Sequence, residues 1–283
     1  MLTHPGRVRS GNEDTCASDP ITGSFVVCDG MGGAAAGEIA SHLASTTFLA
    51  HLLPPLKDVP PPRADARLTA AIDAANDAVY QHSRKSPGLA GMGTTLVGLL
   101  YAPILKTQPT PAAQPASPPV TSAPITKIQS LHPHAHSRAS DPPTLWLAHV
   151  GDSRCYRRRR GKLTLLTQDH SLVEEQLRAG QITAEEAARS PMRNLITRAV
   201  GSQSTVQPDI QCFRPFANDL YLLASDGLTR ELSDEQIADL LAAIPIAPTV
   251  DALNLACESL INAANEGGGR DNITVLLVSF TPS

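Results

Sequence analysis

Two hydrophobic periods alternate along the chain. Apolar residues that recur every three to four positions predict helices, and short apolar runs rich in β-branched residues predict strands. The helical spacing covers 34–53, 65–83, 171–188, 233–243 and 250–264. The strand-like runs cover 25–28, 92–101, 144–150, 219–225 and 272–280. The order is irregular, and 92–101 and 144–150 suit antiparallel pairing, so the pattern favours an α+β fold with antiparallel sheets over a doubly wound parallel sheet.

A proline-rich segment interrupts this pattern between 103 and 143. It holds many of the chain's 24 prolines among Thr, Ser, Ala and Gln, with few large apolar residues to offset the entropy lost on ordering. We predict a disordered insertion between the two strands of a hairpin. Metal binding by His132, His134 and His136 is an alternative, but a low-complexity tether is the better-supported interpretation.

Composition narrows the class of protein. The 283 residues suffice for one large domain or two small ones, and the net charge of -4 argues against a nucleic-acid partner. The basic run at 157–160 is interpreted as a solvated hairpin end. The five cysteines include no CxxC pair, which argues against a disulfide framework or a zinc knuckle. Without an apolar run of roughly 18 residues or a signal-peptide core, we expect a cytoplasmic protein with no membrane contact.

Aspartate ends three strand-like runs and introduces a fourth. Asp29, Asp152 and Asp226 each precede a small residue, and Asp271 stands before the last run. Each alone is an ordinary turn residue. Four in one chain indicate a common location, where the carboxylates would repel one another by about 4 kcal/mol per close pair at an effective dielectric constant of about 20. No lysine or arginine sits beside each of them in the sequence to offset that repulsion.

Divalent cations offset such repulsion. Mg²⁺ and Mn²⁺ take carboxylate, carbonyl and water oxygens as ligands, and the carbonyl of Gly30 is approachable because glycine has no side chain. The glycines after Asp29 match neither the P-loop nor the dinucleotide pattern. Two cations about 3.5–4 Å apart are the usual means of activating a water against phosphorus. Asp29 is therefore a candidate to bridge two metals.

A polar stretch near the N-terminus supplies a positive charge. Arg9 stands four residues before Glu13. A solvated loop would explain a lone Asn-Glu-Asp sequence. From a neighbouring position on the same strand, however, Arg9 would reach the cleft with a planar group suited to bidentate phosphate contact.

Seven short motifs occur in the order found in metal-dependent protein phosphatases, the protein phosphatase 2C or PPM family. They are Arg9-x-x-Asn12-Glu13-Asp14, Asp29-Gly30-Met31-Gly32-Gly33, Gly93-Thr94-Thr95, Val150-Gly151-Asp152-Ser153-Arg154, Thr167-Gln168-Asp169-His170-Ser171, Ser225-Asp226-Gly227 and Asp271-Asn272-x-Thr274. The chain resembles a bacterial member from about 3 to 280, the proline-rich insertion excepted.

The resemblance implies one domain over 1–283, built as an αββα sandwich of two antiparallel sheets flanked by helices, with a mobile flap at about 169–201. A binuclear Mn²⁺ or Mg²⁺ site would lie in the cleft at one end. By this analogy Asp29 bridges both metals, Gly30 contributes its carbonyl, and Glu13 serves the second metal partly through water. Asp226 and Asp271 would hold the first metal.

The same analogy assigns the remaining roles. Asp14 would orient metal-bound water, Arg9 would bind the phosphate, and Asp152 with Asp226 would form a weaker third metal site. The implied reaction is attack of a metal-bridging hydroxide on phosphoserine or phosphothreonine, without a phosphoenzyme. Cys28 is not a nucleophile, because its place on the strand should point its sulfur away from the metal side.

The implied partners are phosphorylated proteins and a cognate Ser/Thr kinase, and we expect a monomer. Apolar residues of the flap either contact substrate around the phosphate or pack on the surface, and both interpretations stay open. These residues are Leu172, Val173, Leu177 and Ile182.

The chain departs from the family pattern at two points. Met31 replaces a histidine that is proposed as general acid in eukaryotic members, so a metal-bound water is the expected proton donor. The chain also begins almost at the Arg9 motif, and we therefore expect an edge strand of the family to be missing.

Two other functions remain as alternatives. A phosphopeptide-binding scaffold would keep the fold and lose the chemistry, but no metal carboxylate is lost here. A hydrolase of small phosphate esters stays open, because the metals contact only the phosphate.

Overall fold

Eleven strands and seven α-helices form within residues 1–20, 22–53, 63–85, 87–103 and 143–280, the parts that the computed structural model describes. The strands are β1 (Leu2–His4), β2 (Asp14–Asp19), β3 (Ser24–Met31), β4 (Gly93–Thr94), β5 (Leu96–Pro103), β6 (Pro143–Val150), β7 (Arg154–Arg159), β8 (Lys162–Leu165), β9 (Asp209–Phe213), β10 (Leu220–Ala224) and β11 (Ile273–Ser279). The helices are α1 (Ala34–His51), α2 (Ala64–Ser83), α3 (Leu172–Arg178), α4 (Ala184–Arg189), α5 (Asp226–Thr229), α6 (Asp234–Ala242) and α7 (Val250–Gly267).

The strands form two antiparallel sheets. The first has the order β1-β11-β10-β7-β8, and the second has the order β2-β3-β5-β6-β9, with β4 paired to β3. The predicted pairing of 92–101 with 144–150 is confirmed, since β5 and β6 align in register from Leu96 opposite Val150. The basic run at 157–160 lies at the β7–β8 hairpin, as predicted, but the expected solvation is wrong for all but Arg160. Arg158 donates to backbone carbonyls and Arg159 pairs with Asp219, so both side chains are partly buried.

Three apolar clusters define four layers. One lies between the second sheet and α1 with α2, one between the two sheets, and one between the first sheet and α5, α6 and α7. Successive side chains of β3 point to opposite faces of the sheet, so they pack in two of these clusters. Val26 and Cys28 pack on the helix side, and Val27 packs between the sheets. The expected orientation of Cys28 is thus confirmed, and the αββα sandwich follows from these layers.

Several predicted elements were wrong in extent. The helix expected over 171–188 is two short helices, because Gly180 adopts a left-handed conformation at φ +68° and a new helix begins after Thr183. Thr183 and Glu186 form a capping box at that start. The strand expected over 92–101 is divided into β4 and β5. β9 was not predicted.

The N-terminal residues differ from expectation in two ways. The edge strand expected to be missing is present as β1, which pairs with β11 from Leu2 opposite Val275. Arg9 does not share a strand with Glu13, because the residues between β1 and β2 form turns and bends. The expectations for the proline-rich insertion concern residues outside the described ranges. None of the described helices combines the length and apolar character needed to cross a bilayer.

A close contact between α1 and β5 fixes the spacing of helix and sheet. Gly98 lies on β5 beneath Phe48, whose side chain is fully buried. A Cβ at position 98 would lie 2.7 Å from Cζ of Phe48, which is inside van der Waals contact. The packing therefore requires glycine opposite this ring.

Gly98→Ala should destabilise the protein by about 1–3 kcal/mol, because the added methyl overpacks the core against Phe48. Replacing Phe48 with leucine in the same chain should recover part of the loss. Urea unfolding of the two single variants and the double variant measures this coupling. Strictly additive losses would contradict the proposed contact.

Candidate metal centre

Five aspartates from separate parts of the chain meet at one end of the sandwich. Asp14 opens β2 and stands directly opposite Asp29 of β3. Asp152 lies in the turn between β6 and β7, Asp226 opens α5, and Asp271 precedes β11. The charges of the other four all raise the pKa of Asp29, so the strand ends do converge.

Burial is the main reason that these carboxyl groups have raised pKa values. It raises the pKa of Asp29 and of Asp226 well above the ordinary range, and neighbouring carboxylates add to both shifts. Burial also raises the pKa of Asp14 to about 6 and that of Asp152 to about 6. The cluster is therefore poorly tolerated in its fully ionised form unless a positive charge lies within it.

Threonine hydroxyls hold the backbone of Asp29 in place. The Oγ1 of Thr94 donates to the Asp29 carbonyl at 2.8 Å, and the Asp29 amide donates to Oγ1 of Thr95 at 3.0 Å. The amide of Thr95 donates to the same carbonyl at 2.8 Å, and its hydroxyl lies 2.7 Å from that of Ser153. The Gly-Thr-Thr motif thus positions the aspartate through its main chain, whatever the side chain binds.

Glycines bring the first turn of α1 against the site. A Cβ at Gly30 would lie 2.1 Å from the carbonyl oxygen of Gly37, and one at Gly37 would lie 1.9 Å from Oε2 of Glu13. The amide of Gly30 also donates to the Glu13 carbonyl at 3.1 Å. These contacts place the Glu13 carboxylate beside the first turn of a helix, where negative charge is favoured. Gly37 was not singled out from the sequence.

Asn272 joins the two ends of the described chain at the site. Its Oδ1 accepts from the amide of Glu13 at 2.8 Å, and its Nδ2 donates to the carbonyls of Pro5 at 3.0 Å and Gly11 at 2.9 Å. A Cβ at Gly227 would lie 2.0 Å from the Asn272 carbonyl. The loop before β2 is therefore fixed against the segment that carries Asp271.

Two arginines contact the carboxylates, and one of them is Arg9, which was expected to reach this cleft. Nη2 of Arg9 lies 3.0 Å from Oδ2 of Asp271, and Nη1 of Arg230 lies 3.4 Å from the same oxygen. Arg230 also pairs with Asp226, and its Nη2 lies 3.9 Å from Oδ2 of Asp152. Arg230 was not singled out from the sequence, although its position four residues after Asp226 was a usable signal.

The donor set fits divalent cations. Oδ1 of Asp152 and Oδ1 of Asp226 are buried, and neither has a hydrogen-bond partner among the residues that the structure describes. A buried acceptor without a partner costs about 1–3 kcal/mol, more when charged. A hard cation supplies the missing interaction, and carboxylate oxygens are the ligands that Mg²⁺ and Mn²⁺ favour.

The segment 169–201 is attached beside the site. Asp169 accepts from the guanidinium of Arg154 in a bidentate pair, with Nη2 at 2.8 Å. The amide of Gly151 donates to Nδ1 of His170 at 3.1 Å, and the amide of Thr197 donates to the His170 carbonyl at 2.8 Å. Within the described α3 and α4 no residue is buried, and the four apolar residues singled out in this segment are all partly buried.

A second group of possible ligands lies at the base of this segment. Single ligand atoms of His149, His170 and Asp209 lie within 4.8 Å of one another. Nη1 of Arg198 lies 3.2 Å from Nε2 of His170 and 3.1 Å from Oδ1 of Asp209. Burial lowers the pKa of His170 to about 4, so the ring is neutral near pH 7. Because Arg198 already contacts the ligand atoms, this cluster is better explained as a structural anchor.

Comparisons with known proteins agree with this geometry. No protein-family model matches the chain. The chain is 35% identical over 274 residues to the serine/threonine protein phosphatase PstP of Mycobacterium tuberculosis. The aligned region covers 96% of this chain and 43% of PstP. It is 32% identical to the protein phosphatase PhpP of Streptococcus pneumoniae, over 99% of this chain and 96% of PhpP.

A solved structure of the PstP catalytic domain in complex with two manganese ions superposes with a TM-score of 0.73, at 34% identity, over 99% of this chain and 96% of that one. The fold is that of the catalytic domains of metal-dependent serine/threonine phosphatases. The chain belongs to the bacterial PPM-type phosphatase family, as the resemblance indicated. It spans 43% of the length of full PstP.

In the metal-free protein, Asp29→Asn should increase stability, and the gain should grow with pH. A carboxyl group whose pKa is raised by folding loses its proton first in the unfolded state, so the fold loses stability as pH rises from about 4 toward the folded pKa. The loss amounts to roughly 1.4 kcal/mol for each pH unit in that range. Asparagine removes this loss.

Denaturant unfolding in EDTA at pH 5 and pH 8 measures the effect. The exposed Asp239, replaced in the same way, is the matched control and should show no such dependence. A difference between wild type and Asp29→Asn that does not grow between the two pH values would contradict the electrostatic account.

Proposed function

We propose that this protein hydrolyses phosphoserine and phosphothreonine in proteins with two bound Mn²⁺ or Mg²⁺ ions. The proposal rests on the convergence of five aspartates at one end of the sandwich. Several of their carboxylate oxygens are buried and have no hydrogen-bond partner among the described residues. The relatives PstP and PhpP are named as protein phosphatases, and PstP has been solved with two manganese ions.

The proposed ligands follow from position. Asp29, at the centre of the cluster, and the carbonyl of Gly30 would hold both ions. Asp226 and Asp271, on the first sheet's side, would hold one ion. Glu13, held against α1, would hold the other. When bound, the cations lower the pKa of water and offset the charge of the phosphate.

The protein's own residues bind and orient the reactants. Asp14 has a raised pKa of about 6 and lies opposite Asp29, so it is placed to accept a hydrogen bond from the attacking water and to hold its proton. Arg9 is about half exposed and is the cation available for a phosphate entering the cleft. Met31 carries no exchangeable proton, so we assign protonation of the leaving oxygen to a water molecule.

The substrate class and setting are part of the proposal. Phosphorylated proteins are the substrates, and a cognate Ser/Thr kinase supplies them in bacterial signalling. We place the protein in the cytoplasm, which is supported by five cysteines that are all free, three of them buried. We also propose that it acts as a monomer. One domain spanning 1–283, with 169–201 as a flap over the cleft, completes the assignment.

Asp226→Ala should reduce Mn²⁺-dependent turnover of a phosphothreonine protein to the level seen without metal, while the circular dichroism spectrum stays unchanged. The reason is the loss of an ionic ligand that no neighbour replaces. Asp239→Ala, at an exposed position on α6, is the control and should retain full activity. Substantial activity in Asp226→Ala would refute the metal role.

The same assay distinguishes the small-ester alternative. Wild-type kcat/KM should be higher for the phosphothreonine protein than for an aryl phosphate, and both activities should be lost together in Asp226→Ala. A large preference for the aryl phosphate would leave a metal-dependent hydrolase and rule out the protein-phosphatase assignment.

Arg9→Ala should lower kcat/KM by roughly 10- to 150-fold, because a hydrogen bond to a charged group contributes about 1.5–3 kcal/mol. Inhibition by inorganic phosphate should weaken in parallel, since the same guanidinium binds it. Arg9→Lys should recover the charge but not the bidentate geometry, and therefore only part of the activity. An unchanged inhibition constant for phosphate would remove Arg9 from the substrate site.

A further inference from the structure

A cation already lies between the two carboxylates to which the family resemblance assigns a third metal. The guanidinium of Arg230 pairs with Asp226, and its Nη2 lies 3.9 Å from Oδ2 of Asp152. We propose that Arg230 takes the place of the third divalent ion, so that this centre binds two metals and not three. The inference rests on the proposed metal-dependent function and narrows it.

The local backbone explains why the guanidinium reaches this position. Ser225 precedes α5, and the amide of Arg230 donates to the carbonyl of Asp226 at 2.8 Å, which closes one helical turn. Residues four apart on a helix share a face, so the side chain of Arg230 returns along α5 to the Asp226 carboxylate. The short helix thus determines that pairing.

Guanidinium geometry suits several carboxylates at once. Arginine presents five N–H donors in one plane and remains protonated at all ordinary pH values. Nη1 of Arg230 lies 3.4 Å from Oδ2 of Asp271, while Nη2 faces Asp226 and Asp152. The Arg230 side chain is 30% exposed, and those of Asp152 and Asp226 are 8% and 11% exposed. The pairing is therefore screened by solvent less than a surface ion pair is.

The charges of the cleft balance with two divalent ions. Two ions supply four positive charges, and Arg9 and Arg230 supply two more. Together they match the six negative charges of the ionised acidic residues of the site, which are Glu13, Asp14, Asp29, Asp152, Asp226 and Asp271. A third divalent ion would give a net charge of two positive units. The first ion would share Asp226 and Asp271 with Arg230, and a third ion would have to displace the guanidinium from Asp152 as well.

Manganese binding to the full chain tests the proposal directly. Electron paramagnetic resonance of free Mn²⁺ during titration of the metal-free protein gives the number of bound ions without any activity measurement. Wild type should bind two. Arg230→Gln removes the charge and should bind a third ion at least about tenfold more tightly than wild type does. Arg230→Lys keeps a positive charge and should bind two.

Arg9→Gln is the matched control, because it removes a charge from the same cleft away from Asp152, and it should still bind two ions. Circular dichroism and thermal unfolding in EDTA establish that each variant is folded, and the lysine variant provides a second test should the glutamine variant unfold.

The possible failures are distinguishable. Three ions bound to wild type, or two bound to a folded Arg230→Gln, would overturn the role of Arg230 and leave the proposed phosphatase function standing. A third ion in both Arg230→Gln and Arg9→Gln would show that total charge, not the position of Arg230, limits binding. No Mn²⁺ bound to wild type would overturn the proposed function and this inference with it.

Discussion

Mutual repulsion of buried carboxylates is the constraint on which the rest of this structure depends. Asp14 and Asp29 stand directly opposite each other on neighbouring strands, an arrangement that is normally destabilising for like charges. Asp152, Asp226 and Asp271 add charge to the same end of the sandwich, and burial raises the cost. A fold can retain such a cluster only with positive charge inside it. Two arginines supply part of that charge, and the two divalent ions proposed above would supply the rest.

The sandwich holds these groups rigidly because main-chain contacts set their positions. Thr94 and Thr95 bind the backbone of Asp29 from β4 and the adjoining residue, and Asn272 ties the loop before β2 to the segment before β11. Gly30 and Gly37 allow α1 to approach within reach of Glu13. The charged side chains therefore do not hold themselves together. The threonine hydroxyls and the Asn272 side-chain amide hold the backbone that carries them, and the two glycines leave room for the close approach of α1.

Much of this was predictable from the sequence, for reasons that are local. The period-two run of β3 and the helical spacing of α1, α2, α6 and α7 are strong patterns, and an aspartate after an apolar strand is visible directly. The break at Gly180 was missed because a single glycine inside a helical pattern costs only about 1 kcal/mol relative to alanine and does not by itself predict a break. β9 was missed because its pairing with β6 is a long-range contact. The contacts of Arg230 depend on α5, which is a single turn too short to give a period.

The pairing of β1 with β11 has a consequence for how the protein is made. Thr3 and Thr274, 271 positions apart, share a hydrogen bond at 2.6 Å, and Asp271 belongs to that late part of the sequence. During synthesis the earliest carboxylates leave the ribosome long before their partners exist. A nascent chain that lacks β11 cannot assemble the centre, and closing so long a loop is slow. Truncated chains that lack β11 should therefore be inactive rather than partially active.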